Sequence, residues 1–162
     1  MIRTLAILAL LLGAGQAAAA PAQPFVQGSW QALLKAHRGK PLVVHFWGVT
    51  CAPCMVEMPK WAATAHTDRA FDFVLVDADP VGADPSAEAP MLVEMGLADA
   101  EAWRFADDFT ERLRYEVDPK WHGELPLTLL IGRDGSVRKI LGSADFAAVH
   151  AWLAEQESGK ER

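Results

Sequence analysis

Residues 42–54 read Leu42-Val-Val-His-Phe-Trp47-Gly-Val-Thr-Cys51-Ala-Pro-Cys54. Pro41 opens a largely apolar run of six with a single polar interruption at His45, the length and composition of a buried strand. Pro53 suits the first turn of a helix, where a backbone N–H would have no partner anyway. That helix is expected to reach about residue 66, with an interruption at Pro59. Cys51 therefore stands where a strand hands over to a helix, and Cys54 lies about one turn further in. The unpaired N–H groups and the dipole at a helix N-terminus favour a thiolate over a thiol. A lowered thiol pKa makes Cys51 both nucleophile and leaving group in disulfide exchange, with Cys54 close enough to attack a mixed disulfide.

These are the only two cysteines in 162 residues. A secreted scaffold held together by disulfides carries more of them, spread along the chain. A pair this close shuts too short a loop to stabilise a fold much through chain entropy. No second Cys pair or Cys/His pair at ligand spacing is present, so no zinc site is expected. Met55 and Met58 place two more soft sulfur donors beside the pair, and a Cu(I)-binding or delivery protein is the alternative reading. Helix packing is the plainer role for both methionines.

Upstream, Ser29 can cap a short helix over 30–37 that ends at Gly39. Downstream, 71–77 reads as a second central strand. The stretch 79–115 starts as a loop rich in Gly, Pro and Asp and continues as helix, in two pieces meeting near Gly96. Residues 125–131 and 136–141 are two strands joined by a turn at Arg133-Asp-Gly135. A closing amphipathic helix spans about 146–156. A strand, helix and strand followed by a hairpin and helix imply an α/β fold, a mixed β-sheet sandwiched between helices.

The length suits one domain. With 51% hydrophobic and 22% charged residues, the composition is that of a folded globule. The first 20 residues hold a single charged group, Arg3. Without it the 15 Lys and Arg drop by one against 21 Asp and Glu, taking the net charge from −6 to −7. No basic footprint for nucleic acid is present. Arg3, the apolar run from Leu5 to Leu12 and the small residues after it form a secretory signal peptide over 1–20, cut between Ala19 and Ala22. An uncleaved anchor is the weaker reading, because Gly13, Gly15 and Gln16 break a stretch shorter than the roughly 20 apolar residues a spanning helix needs. No cysteine follows for lipid attachment. The domain then covers 21–162.

Phe46-Trp47, Cys51-x-Pro-Cys54, Glu57, Pro59, Pro126-x-Thr128 and Asp134-Gly135 together resemble the exported TlpA/ResA-type branch of the thioredoxin superfamily. The similarity runs from about Phe25 to Leu153 and is weakest over 79–115. It implies a thioredoxin-like fold with an enlarged helical connection before a cis-proline hairpin. It also implies an exported, periplasmic thiol–disulfide oxidoreductase, a reductase by expectation, acting on client protein thiols and disulfides and fed by a membrane electron-donor protein. Apocytochrome c or copper-site cysteines are the clients it suggests. A monomer is expected, with no cofactor beyond the redox-active Cys51–Cys54 disulfide.

By that resemblance the catalytic set is Cys51, Cys54, Glu57 and Pro126, and Trp47, Thr50 and Leu125 contact substrate. Pro126 would be a cis-proline facing the disulfide and presenting the Leu125 backbone to an extended client segment. An ordinary edge-strand proline is the other reading. Glu57, three residues after Cys54 on one helical face, would take the proton of the buried thiol if desolvated, and would otherwise be a surface carboxylate. Two positions depart from the family. Thr50 stands where Trp usually precedes the first cysteine, and His45 stands where a buried acid or Asn is usual. His45 is either a satisfied core histidine or a proton shuttle. Trp103 and Trp121 are packing residues, with Trp121 a second candidate for the substrate groove. His37, His66, His122 and His150 read as solvated.

Overall fold

The computed structural model describes residues 19–80 and 85–159. Most of the expected signal segment thus lies outside the described residues. In chain order the elements are β1 (Gln23–Phe25), α1 (Ser29–Ala36), β2 (Leu42–Trp47), α2 (Ala52–Thr67), β3 (Asp72–Asp77), α3 (Glu88–Glu94), β4 (Glu101–Phe105), α4 (Thr110–Val117), β5 (Leu127–Ile131), β6 (Val137–Leu141) and α5 (Phe146–Glu157). They build one six-stranded sheet in the order β1-β4-β3-β2-β5-β6. The first four strands run parallel, β5 runs antiparallel to β2, and β6 pairs antiparallel with β5.

β2 sits inside this sheet with all six residues buried. Strand side chains alternate between faces. Val44 and Phe46 pack with Trp30 and Leu33 of α1 and Leu113 of α4. On the other face Val43 meets Trp61 of α2 and Val149, Trp152 and Leu153 of α5, while Trp47 meets Cys54, Met58 and Ala62 of α2 and Leu92 of α3. The near-continuous apolar reading of 42–47 follows from helices covering both sides. Pro59 lies inside α2, at the cost of one backbone hydrogen bond.

Two expectations need correcting. Ser29 is the first residue of α1 and not its cap. Gly28, at φ 85, occupies the cap position, and Ser29 Oγ instead accepts the Val26 N–H at 2.9 Å. The stretch 79–115 is not wholly helical. α3 ends at Glu94, and just past it Gly96 takes φ 75, with Leu97 N–H closing on Leu92 C=O at 2.8 Å. Beyond it, β4 inserts between β3 and β1. Pairing on both sides and the stacking of Phe105 on Phe25 at 5.3 Å outweigh whatever helical preference the local sequence has. β1 itself, three residues long, has no sequence pattern of its own.

Candidate active site

Cys51 is the N-cap of α2, in extended conformation, and its Sγ accepts the Cys54 N–H at 3.3 Å. The sulfur thus sits at the unpaired amides of a 16-residue helix, where negative charge is favoured. Cys51 and Cys54 form a disulfide. Cys51 is partly exposed and Cys54 wholly buried, so only one sulfur can be reached from outside. The Cys51 N–H closes a tight turn on Gly48 C=O at 3.1 Å. Asp79, just beyond β3, holds that turn by accepting the Val49 N–H at 2.7 Å and the Thr50 hydroxyl at 3.4 Å.

The Leu125–Pro126 peptide is cis. Leu125 packs against the same cluster as Val49, Cys51 and Cys54, which brings this junction to the disulfide's end of the sheet. Pro126 is buried, and its C=O accepts the Gly142 N–H at 2.8 Å.

Behind the disulfide lies a closed polar chamber. Glu57, 3% exposed, accepts the Trp61 indole N–H at 3.2 Å on Oε1 and the Ala144 N–H at 2.9 Å on Oε2. Burial pushes its pKa above the ordinary value, against those two hydrogen bonds and the nearby Lys60 charge. His45 Nε2 lies 3.5 Å from Glu57 Oε1, and His45 Nδ1 lies 2.9 Å from the hydroxyl of its cross-strand partner Thr128. The His45 ring is fully buried, tilted against Trp61 at 5.5 Å. Burial lowers its pKa to about 3, so at neutral pH it is an uncharged imidazole. Such a ring has one N–H for two neighbours, and Nε2, at 3.5 Å from Glu57 Oε1, makes no hydrogen bond.

The structure thus gathers Cys51, Cys54 and Leu125 at one cluster and puts Glu57 one helical turn behind Cys54. Thr50 is exposed and open to a partner. Trp47 is fully buried among Cys54, Met58 and Leu75, so it supports the site from beneath and does not face substrate. Trp121 is 4% exposed, packs on Phe46 at 4.9 Å and donates its indole N–H to Glu124 C=O, which makes it a core residue. Met58 is wholly buried. His37 is not solvated as expected but bridges Asp72 at 2.8 Å and Glu101 at 3.2 Å. Asp79 and Thr128 join this site through tertiary contacts that no sequence motif marks. The only available signals were the second Asp beyond a strand and the period-2 position of Thr128 after Pro126. Among the described residues no group of three or more His, Cys, Asp or Glu is arranged to hold a metal ion.

No protein-family model matches the sequence, and no curated protein matches it. Solved structures match in fold. A secreted Mycobacterium tuberculosis disulfide oxidoreductase, described as homologous to E. coli DsbE, is 20% identical with a TM-score of 0.60, over 74% of this chain and 84% of its own. A thiol-disulfide isomerase from Corynebacterium glutamicum is 18% identical with a TM-score of 0.61, over 75% and 83%. A thioredoxin-related protein from Neisseria meningitidis serogroup B is 19% identical with a TM-score of 0.61, over 77% and 90%. At these identities the likeness establishes architecture: the chain has the thioredoxin-like α/β fold, with its single disulfide capping α2.

Proposed function

We propose that this protein is an exported thiol–disulfide oxidoreductase that works as a reductase on the cysteines of periplasmic client proteins. The carrying observation is the asymmetry of the pair, with Cys51 partly exposed at a helix N-terminus and Cys54 wholly buried above Glu57. In the reduced protein the Cys51 thiolate attacks a client disulfide, forming a mixed disulfide and releasing one client thiol. Cys54 then loses its proton to Glu57 and attacks Cys51 Sγ. The second client thiol leaves, the Cys51–Cys54 disulfide forms, and two electrons have passed to the client. A membrane dithiol donor returns the pair to its reduced form. The cis Leu125–Pro126 junction beside the pair is suited to present Leu125 backbone to an extended client segment. The N-terminal sequence supports export, and among the described residues no helix is long and apolar enough to cross a membrane.

The test is insulin reduction with a dithiol donor, together with trapping. Cys54→Ser should accumulate mixed disulfides through Cys51, and Cys51→Ser should accumulate far fewer. Equal trapping by both would overturn the division of roles. Tight Cu(I) binding without turnover would transfer the reading to copper delivery, although Met58 is too buried to serve as a ligand in this conformation.

A further inference from the structure

We infer that Asp79 is a positioning residue for Cys51 and biases the Cys51–Cys54 pair toward reducing power. This rests on the redox reading above. Asp79 is 7% exposed, and both its carboxylate oxygens are spent on the turn that delivers the attacking cysteine. Oδ2 accepts the Val49 N–H at 2.7 Å and Oδ1 accepts the Thr50 hydroxyl at 3.4 Å. The Gly48 backbone lies against the same carboxylate, and a Cβ there would land on Oδ1. Gly48, Val49 and Thr50 are thus shaped around Asp79, and the next residue is Cys51. A side chain without a hydroxyl at position 50 could not make this contact.

Asp79 is itself fixed from behind. Its N–H donates to Asp77 Oδ1 at 2.9 Å, and the preceding Ala78 N–H donates to Trp47 C=O at 2.9 Å. Asp77 Oδ2 lies 3.2 Å from Arg104 Nε, and the same guanidinium pairs with Glu88. Two buried acids, Asp77 and Glu88, therefore share one arginine, and Asp79 is tied to the first of them. Burial holds Asp77 and Glu88 above ordinary carboxyl values, Arg104 draws them back and the Asp79 charge pushes them up again. The electrostatic consequence for Cys51 follows. The helix N-terminus stabilises a thiolate, whereas a carboxylate anchored on the two preceding residues disfavours it. The thiolate exists only in the reduced pair, so destabilising it makes that pair a better electron donor.

The experiment equilibrates the wild-type protein and its variants with glutathione redox buffers. It also records the pH dependence of Cys51 alkylation. Asp79→Asn is nearly isosteric and keeps an acceptor for the Val49 N–H while removing the charge. It should raise the equilibrium constant for reduction by glutathione about tenfold, equivalent to about 30 mV, and lower the Cys51 pKa. Asp79→Ala should move the potential in the same direction and also slow exchange, because the turn loses its anchor. Gly48→Ala should raise the constant by displacing the carboxylate, and should do so much less in the Asp79→Ala background. Unchanged potential and thiol pKa in both Asp79 variants, with normal wild-type exchange, would overturn this inference alone. A wild-type pair that does not exchange with glutathione would overturn the redox reading and this inference with it.

Discussion

Glu57 and Glu88 are buried to nearly the same degree, 3% and 4% exposed, and burial raises the pKa of both. Their company differs. Glu88 shares with Asp77 the guanidinium of Arg104, a cation that keeps its proton at every working pH. Glu57 takes hydrogen bonds from an indole and an amide and faces an imidazole that burial keeps neutral down to about pH 3. A carboxyl clamped to arginine is a structural strut. One held only by neutral donors can gain and lose a proton without breaking an ion pair, which is what resolving a mixed disulfide requires.

Removing the strut is the severest way to test that contrast. Arg104→Met leaves Asp77 and Glu88 buried without their cation and should cost about 3–5 kcal/mol of stability at neutral pH. In urea unfolding the deficit should shrink as pH falls and the two carboxyls protonate. A deficit independent of pH would mean that Arg104 matters for its bulk and not for its charge.

Glu57→Gln should leave the fold intact but slow disulfide exchange about 100-fold, with the pH–rate profile displaced upward because Cys54 must ionise without help. Stability should move the other way. The folded-state pKa of Glu57 lies above its ordinary 4.5, so its contribution is fully present below the unfolded value and is lost as pH rises through the folded one. The Gln variant lacks that loss and should gain on wild type as the pH is raised, as parallel urea titrations would show. A constant gap would remove Glu57 from the proton path.

His45 sharpens the comparison at the acid end. Its folded pKa is about 3 against an ordinary 6.5, so its contribution is present above the unfolded value and is lost as pH falls toward the folded one. The slope is about 1.4 kcal/mol per pH unit, or about 2 kcal/mol by pH 5. His45→Asn should flatten this limb and change the rate profile less than Glu57→Gln does. A large rate effect at His45 with none at Glu57 would exchange their roles. The smallest effect is expected from Thr128→Val, which strips His45 Nδ1 of its partner at a cost of about 1 kcal/mol.

Much of this arrangement was legible in the chain. β2, α2, β3, the β5–β6 hairpin and α5 announce themselves through continuous or alternating apolar runs punctuated by Pro41, Pro53, Gly135 and Gly142. The strand-to-helix position of Cys51 and the helical offset of Glu57 follow from the same periodicities. β1 and β4 do not, because their pairing partners are about 80 residues apart in the chain and a strand of three residues carries no pattern. The chamber was half visible. His45 is the polar interruption of an apolar strand and Glu57 is marked by its helical offset from Cys54 and the family resemblance, but Thr128 becomes their neighbour only through the β2–β5 register. Asp77, Asp79, Glu88 and Arg104 form no motif in the sequence, and Asp77 and Arg104 meet only through the β3–β4 register.

The two borders of the sheet are guarded against aggregation by unlike means. β6 is an exposed border where Val137 and Leu141 are 57% and 52% open, and Arg138 and Lys139 between them place cations along the free edge. Such charges discourage a second chain from adding a strand. On the opposite side β4 has no cationic pair of that kind. β1 covers it, with Phe25 fully buried and its C=O accepting the Ala106 N–H at 3.0 Å. A chain trimmed past Phe25 would bare the amides of β4 beside an uncovered Phe105, turning a sealed margin into a template for intermolecular strand addition. Among the described residues, the three of β1 seal that margin.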